Sequence, residues 1–546
     1  MKKAGYIVTL MISFWMIAGG LFFAQNAQAK VVSGSCGGET KYRYDSKAKK
    51  LELYGTGVVS QTIRVDEQLG RKNRYFQVKK LVIRQGITAI KDSSVLRYAS
   101  EEERGISDDY EPGWGFDVWR GLGDATEKLY AELPEGFTTI TANMFGDIQI
   151  KEIYIPASVT KIEEGAFGAQ IYLTSIRVSS SNPKYRSQNG VLYNKKMTKL
   201  ICYPMGKEGH TFVVPDTVRQ TAPLSFKGNY HLKKIVLPKN LRKLGGGSFF
   251  DCILLKDVNL EELYHLKRIS DYYNKSDVRV IHYYDSEDED PYDRYVNGVD
   301  YFELDHDEGQ YDGYLKRYGT FAGTGITSFR MSPNLQYIAS ETFRNCDQLK
   351  TFYIGKAFRG KINYGKEGDP DTLFLYYAPI KSIHIDKENT AYQLQKGILY
   401  TKDGHILCQV QKTDDIDPQL TISASVTEIA DGAFYRCSEL GTVEVKGDLE
   451  RIGISAFAGA DVGMFYAKGE VGYLDCGSFY QSAISEWRCD GGVKRYEKSA
   501  FKDVDATNGY AIDMNTITKL YQELLYVNTT TDLSYWIKTI WNWIVM

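Results

Sequence analysis

Apolar residues recur along this chain in a spaced triplet. The triplet places apolar side chains at i, i+3 and i+5, and its last two members share one face of a strand. It begins at Val78, Ile150, Leu232, Leu349 and Leu440. The pattern predicts short strands that each bury one face.

A second marker keeps the same register. An apolar residue stands five places before a phenylalanine, as in Ile162 and Phe167. These phenylalanines follow one another at 22 or 23 residues within uninterrupted runs. A fixed period of this size predicts a repeat solenoid with parallel β-strands, in which each coil buries its apolar side against its neighbours. The predicted core positions are Phe145, Phe167, Phe226, Phe249, Phe321, Phe343, Phe434, Phe457, Phe479 and Phe501.

Inserts interrupt the repeat at four places. Residues 182–204 and 389–410 read alike, and Asp403-Gly404 in the second predicts a hairpin turn between apolar strands. Residues 97–128 and 284–313 are longer inserts without repeat register. The sequence therefore predicts a solenoid over residues 76–501, with two matching hairpin inserts and two irregular ones.

Three segments resemble one known family. The stretch IPASVTKIEEGAF, from Ile155 to Phe167, looks like the BspA-type leucine-rich repeat. The hairpin inserts are similar to those of that family, as are SGSCGG at 33–38 and KLELYGTG at 50–57. The resemblance covers roughly residues 33–501. It implies a leucine-rich repeat fold and a bacterial surface or secreted protein, some relatives being adhesins.

The N-terminus reads as a secretion signal. Lys2 and Lys3 precede an apolar run, and Ala27-Gln28-Ala29 is a small-residue cleavage site. We expect a signal peptide over residues 1–29, followed by an N-terminal β segment over residues 30–75. A retained membrane anchor is the alternative, because the apolar run is long. Cleavage would leave a secreted or cell-surface protein without a transmembrane span.

The composition of the chain limits the classes of partner that it is expected to bind. The net charge is −2, so nothing favours binding to nucleic acid. The 41 tyrosines allow two interpretations. Tyrosine suits binding surfaces, because it offers a rigid face with a polar tip, and it also favours strands in general.

The eight cysteines give little sign of a disulfide framework. Cys252, Cys346 and Cys437 each follow a repeat phenylalanine by three residues, so they occupy one equivalent position in separate coils. Such coils lie too far apart for a bond, and we expect buried thiols. Cys476 and Cys489 are close enough in sequence for a local disulfide, which stays an open alternative.

No recognised catalytic pattern is present. The sequence lacks H-E-x-x-H and G-x-S-x-G, and the glycine-rich stretch 360–366 is followed by Glu367 where a phosphate loop needs Ser or Thr. We expect neither an enzyme nor a cofactor. Residues 285–312 carry twelve acids without EF-hand spacing, which favours a solvated loop over a calcium site, and no metal ligand is assigned.

The insert 97–128 supplies the candidate ligand contacts. It combines Trp114, Phe116 and Trp119 with neighbouring glycines. Aromatic residues in such an insert can form a recognition surface, or they can fold back to cover a coil. The sequence alone does not separate these two interpretations.

The spacing of apolar residues within 502–546 predicts a C-terminal helical cap. Trp536, Ile540 and Trp543 fall on one side of a helix, which suits burial against the open end of a solenoid. Binding to a membrane surface is the alternative.

These features together predict a bacterial protein that binds an extracellular protein or glycan at the host or cell surface. The rivals are a structural surface protein without a specific ligand and a hydrolase hidden in the inserts.

Cleavage is expected after Ala29, because the basic start, apolar run and small-residue site occur in the order that signal peptidase requires. Sequencing the N-terminus of the exported protein should begin at Lys30. A cytoplasmic protein that retains its first residues would contradict this expectation.

Overall fold

Parallel strands stacked coil upon coil form the fold. The computed structural model describes residues 30–63, 65, 78, 80–91, 129–142, 144–145, 148–273, 279–281, 299–304, 311–365, 372–376, 378–412, 417–497 and 500–501. The predicted repeat solenoid is confirmed: the chain is a parallel-strand β-solenoid with coils of about 23 residues. The described residues fall into two compact bodies, residues 30–187 and residues 188–501.

The first body begins with an antiparallel meander. Its strands are Val31–Gly37, Glu39–Asp45, Lys50–Val59, Lys80–Ile83, Ile87–Ile90, Leu129–Glu132, Thr139–Ile140, Ile150–Ile155, Lys161–Ile162 and Ser175–Val178. The third strand pairs antiparallel with the second and parallel with the fourth and fifth. The third strand therefore joins the meander to the parallel stack. The first parallel strands of the stack are hydrogen-bonded to it.

The second body contains most of the coils. Its strands are Val191–Asn194, Lys199–Cys202, Thr211–Val213, Gln220–Thr221, Lys234–Val236, Asp257–Val258, Arg268–Ile269, Tyr272–Tyr273, Arg279–Ile281, Val299–Leu304, Tyr311–Tyr318, Ser328–Arg330, Tyr337–Ile338, Thr351–Ile354, Lys361–Ile362, Thr372–Leu373, Ser382–Ile385, Tyr392–Gln395, Ile398–Thr401, Ile406–Val410, Gln419–Ile422, Glu428–Ile429, Leu440–Val445, Arg451–Ile452, Asp461–Ala467, Val471–Leu474, Ala483–Cys489 and Val493–Tyr496. Short 3-10 helices lie at Leu260–Glu262 and Ser340–Phe343. The strand Tyr185–Gln188 contains the boundary between the bodies.

Phenylalanine rings run through each coil stack at one repeated position. In the second body, the ring centroids of Phe434 and Phe457 are 4.4 Å apart, and those of Phe457 and Phe479 are 4.9 Å apart. All of the repeat phenylalanines are buried except Phe501, which is half-buried. Within two runs of the second body, Phe226 to Phe343 and Phe434 to Phe501, each ring contacts the repeat ring of the next coil, so aromatic packing supports the register there as well as backbone hydrogen bonds.

In many coils the third residue after the phenylalanine is polar or a cysteine, and in several of them it hydrogen-bonds the preceding coil. The thiol of Cys252 donates to the carbonyl oxygen of Phe226 at 3.0 Å, and that of Cys346 donates to Phe321 at 3.0 Å. Cys252, Cys346 and Cys437 are buried and free, as their shared repeat position predicts. Burial raises the pKa of the Cys437 thiol to about 11, so this thiol stays protonated at neutral pH. Cys489 is a free thiol, so the local disulfide with Cys476 does not form.

The two hairpin inserts are anchored in the same way. Asn389 donates its side-chain amide to the carbonyls of Gly355 and Phe358, at 2.8 and 3.3 Å. In the first body, Asn182 does the same to Pro156 and Val159, at 2.7 and 2.9 Å. A buried asparagine therefore ties each insert to the preceding coil, because an unpaired amide there would be costly. Gly404 adopts a φ of 77° at the second hairpin's turn, which only glycine adopts freely.

The acidic insert corrects one expectation. A solvated loop was expected over residues 285–312, yet Val299–Leu304 and Tyr311–Tyr318 pair as antiparallel strands. Aromatic and branched residues in both segments favour strands, and this preference outweighs the repulsion among neighbouring acids. Three predicted features lie outside the described residues: the signal peptide, the insert 97–128 and the C-terminal helical cap at 502–546.

A partly buried cluster of charges lies at the C-terminal coils, with Asp431 as its buried member. The guanidinium of Arg451 donates to Glu428 at 2.9 Å, to Asp431 at 2.5 Å and to Asp475 at 3.0 Å. Burial raises the pKa of Asp431 to about 7, although Arg451 opposes that shift. One cation therefore holds together carboxylates from the coil before it and the coil after it.

Phe434→Ala should lower the free energy of unfolding by about 3–5 kcal/mol, because the cavity lies within a continuous ring stack. The matched control is Tyr264→Ala, whose side chain is 58% exposed and should change stability by less than about 0.5 kcal/mol. Chemical denaturation of both variants measures the difference. Equal unfolding midpoints would contradict the assigned core.

Arg451→Met should destabilise the fold by about 3–5 kcal/mol at neutral pH, because it leaves Asp431 buried without a cation. Asp431 would then fold protonated. A carboxyl whose folded pKa is raised stabilises the fold at low pH and loses that effect as pH rises. The deficit relative to the wild type should therefore be smaller at pH 5 than at pH 8. A deficit that grows on acidification would refute the assignment.

Candidate binding surface

Each strand of the parallel sheets presents alternate side chains to solvent. In Thr351–Ile354, Phe352 and Ile354 are buried while Thr351 and Tyr353 point outward. Neighbouring coils pair in register, so outward residues at equivalent positions form rows that run across the strands. Any binding surface on these sheets must therefore consist of such rows of outward side chains.

Three rows lie side by side on the sheet of Ser328–Arg330, Thr351–Ile354 and Ser382–Ile385 in the second body, and the third of them continues beside the separate sheet that contains Lys234–Val236 and Asp257–Val258. The stacked row consists of Arg330, Tyr353 and His384, and the hydroxyl row consists of Ser328, Thr351 and Ser382. The third row, here named the lysine margin, stands just before the strands and consists of Lys233, Lys256, Lys350 and Lys381, with Thr327 in the coil between Lys256 and Lys350. Its residues follow one another coil by coil: the amide of Lys381 donates to the carbonyl of Lys350 at 2.8 Å.

The stacked row is preorganised. The guanidinium carbon of Arg330 lies 3.6 Å from the centroid of the Tyr353 ring. The His384 ring stacks on Tyr353 with centroids 4.5 Å apart and an interplanar angle of 13°. Cation–π and aromatic stacking fix these side chains without burying their polar edges. The row therefore offers solvent a rigid line of hydrogen-bonding groups.

Cations in these rows are free of carboxylate partners. Within the described part of the chain, Arg330, Lys350 and Lys381 form no ion pair, and the rows over residues 327–384 contain no acidic side chain. The adjoining Lys234 is different, since it pairs with Asp257 at 2.5 Å. The sheet face over residues 327–384 is thus a local positive surface on a chain of nearly balanced charge.

The C-terminal sheet of the same body provides a contrast. Arg488 and Lys468 flank the ring of Tyr466 there, but each is neutralised. Arg488 pairs with Asp490 at 2.7 Å, and Lys468 pairs with Glu444 at 2.6 Å. The aromatic and basic pattern recurs, but its charge is satisfied internally.

The first body also contains a basic side chain over a tyrosine ring, on a smaller scale. Arg177 lies over the ring of Tyr130 at 5.3 Å and pairs with Glu152 at 3.3 Å. Its outward face is therefore neutralised as well.

The candidate contacts from sequence, Trp114, Phe116 and Trp119, lie outside the described residues. The repeat phenylalanines are held in the core and contribute no binding surface. Sequence reasoning missed Arg330, Tyr353 and His384. The signal available was the residue between the last two apolar members of each triplet, which is Tyr154, Tyr353 or Tyr466 in three coils.

The described residues offer no cluster of three or more histidine, cysteine, aspartate or glutamate side chains able to hold a metal ion. No helix among them has the length and apolar character needed to cross a membrane.

The sequence matches the family model described as the BspA type leucine-rich repeat region. Six copies match over residues 127–204, 205–281, 317–365 and 416–530, which is more than half of the chain. A comparison with curated proteins finds no match.

Several solved bacterial structures are similar to this chain at low identity. A leucine-rich repeat protein from Eubacterium ventriosum is 18% identical, with a TM-score of 0.32, covering 67% of this chain and 98% of its own. A leucine-rich cell surface protein from Faecalibacterium prausnitzii is 14% identical, with a TM-score of 0.32, covering 66% and 96%. A leucine-rich repeat protein from Bacteroides ovatus is 14% identical, with a TM-score of 0.34, covering 69% and 85%.

Proposed function

The chain belongs to the BspA-type leucine-rich repeat family, and we propose that it is a secreted or surface-exposed bacterial protein that binds a host or cell-surface protein or glycan. It acts by non-covalent contact and not by catalysis. The observation that carries this proposal is the outward face over residues 327–384, where the stacked row and the lysine margin leave cations without carboxylate partners.

A purely structural role would not need such a face. Exposed cations repel one another across adjacent coils, and the C-terminal sheet places acids in its rows to relieve that repulsion. The central sheet keeps its cations unpaired and holds one of them rigidly over Tyr353. Rigid tyrosine and arginine side chains are favoured at binding sites, because ordering them on association costs little.

The test is a binding screen of the mature chain, residues 30–546, against purified extracellular matrix proteins and glycans. The triple variant Arg330→Ala, Tyr353→Ala, His384→Ala should weaken the strongest interaction by about ten-fold or more, as expected for truncated contact residues. The control is Thr421→Ala, Tyr466→Ala, Arg488→Ala on the neutralised sheet, which should retain binding. Both variants alter outward side chains and should unfold near the wild-type temperature.

Three outcomes would count against the proposal. Absence of binding to every probe would favour the structural rival. Equal losses in the two triple variants would remove the central face from the interaction. Turnover of a glycan or peptide by the mature chain would favour the hydrolase rival.

A further inference from the structure

We propose that the second body binds a linear anionic polysaccharide, carrying sulfate or carboxylate groups, along the outward sheet face over residues 327–384. The proposal rests on the proposed function and names its ligand class and its site. The chain lies over the hydroxyl row, between the lysine margin on one side and the stacked row on the other.

The face has the relief of a trough. Ser328, Thr351 and Ser382 are small, whereas the flanking residues are long or aromatic except at Thr327. Because rows run across the strands, the trough follows the direction in which coils stack. A linear chain can therefore lie in it and meet a hydroxyl at each of three coils and a lysine at two of them.

The donors along this trough repeat with the coils. Within the face over residues 327–384, Lys350 and Lys381 stand one strand spacing of about 4.8 Å apart. Lys233 and Lys256 continue the margin beyond Thr327, next to the neighbouring sheet. A polysaccharide carries anionic groups along one axis, so several of them can meet cations placed along one line. Hydroxyls of the central row add hydrogen bonds to sugar oxygens; that of Ser382 lies 3.0 Å from Nε2 of His384.

Stacking of a neutral sugar on Tyr353 is disfavoured by the same geometry. Arg330 covers one part of the π system at 3.6 Å, and His384 stacks against it at 4.5 Å. The ring thus presents its hydroxyl edge instead of a free face. Recognition must rely on charge and hydrogen bonds, which requires an anionic ligand.

An acidic protein is the other polyanion to weigh. Protein interfaces commonly centre on apolar or aromatic anchors that enter pockets, surrounded by a polar rim. Here the centre of the face is a line of serine and threonine hydroxyls, and the charges lie along both sides. This arrangement favours a slender polar chain over a protein surface.

The charge test uses heparin fragments as the probe and the mature chain, residues 30–546, measured by calorimetry at physiological salt. Lys350→Gln with Lys381→Gln should weaken binding by about ten-fold, since each exposed cation supports a modest share of the affinity. The control is Lys468→Gln with Arg488→Gln, which changes the net charge equally but removes cations already paired with acids. Binding by the control should stay within about two-fold of the wild type.

The shape test keeps every charge. Thr351→Phe fills the trough, whereas Thr442→Phe places the same ring at the equivalent outward position of the C-terminal sheet. Heparin binding should fall for the first variant and persist for the second. Non-specific attraction to a basic protein would be insensitive to both.

These experiments distinguish the ways in which the inference could fail. Equal losses in the two charge variants, or unchanged binding by Thr351→Phe, would overturn the trough. Polyglutamate binding as tightly as heparin, with the same variant dependence, would replace the polysaccharide by an acidic protein. If another ligand from the screen binds all four variants equally, this inference fails while the proposed function stands; if no probe binds at all, both fail.

Discussion

Every coil of this solenoid must fit a neighbour whose backbone lies one strand spacing away. That spacing, about 4.8 Å, is set by backbone hydrogen bonding and leaves no room for a coil to slide. The chain satisfies it by placing phenylalanine rings over one another and, in several coils, by a hydrogen bond to the preceding coil from a residue such as Asn229 or Cys252. A one-residue slip would expose the buried triplet and break both contacts, so the period is held to within a residue.

The same constraint determines the surface. Because coils are in register, an outward side chain always has a neighbour of the next coil beside it, and like charges in a row repel. The second body resolves this in two ways. Its C-terminal sheet alternates sign, as in Glu444 and Lys468, whereas its central sheet separates Arg330 from the lysine margin by a row of hydroxyls. Only the second arrangement leaves charged side chains available to a ligand. The net charge of the whole chain, which is −2, therefore does not reveal the positive face.

The sequence predicts the buried positions of the coils well, but it says little about the role of the exposed positions. The triplets and the phenylalanine at every 22 or 23 residues suffice for the coils, because burial requires the same residue type at each repeat. The outward positions carry no such requirement, so nothing in the pattern distinguishes Tyr353 as a stacked residue. Its role depends on Arg330 and His384, which are remote in sequence and meet it only through strand register. The acidic insert was misread for a related reason, since its charge is conspicuous and its strand-favouring aromatics are not.

Coil packing also limits where a cationic row can exist. The lysine-margin position, directly after the first apolar residue of each triplet, is lysine in four central coils and glycine at Gly441 and Gly463. A Cβ at Gly441 would lie 2.5 Å from the carbonyl oxygen of Pro418, and one at Gly463 would lie 2.5 Å from that of Gly441. The strands Leu440–Val445 and Asp461–Ala467 both contain this position, and their backbones approach the preceding coil closely there. A side chain at either glycine would collide with that backbone, so these two coils cannot carry a cation at the margin position, and the packing of the coils excludes the positive margin from this part of the C-terminal sheet.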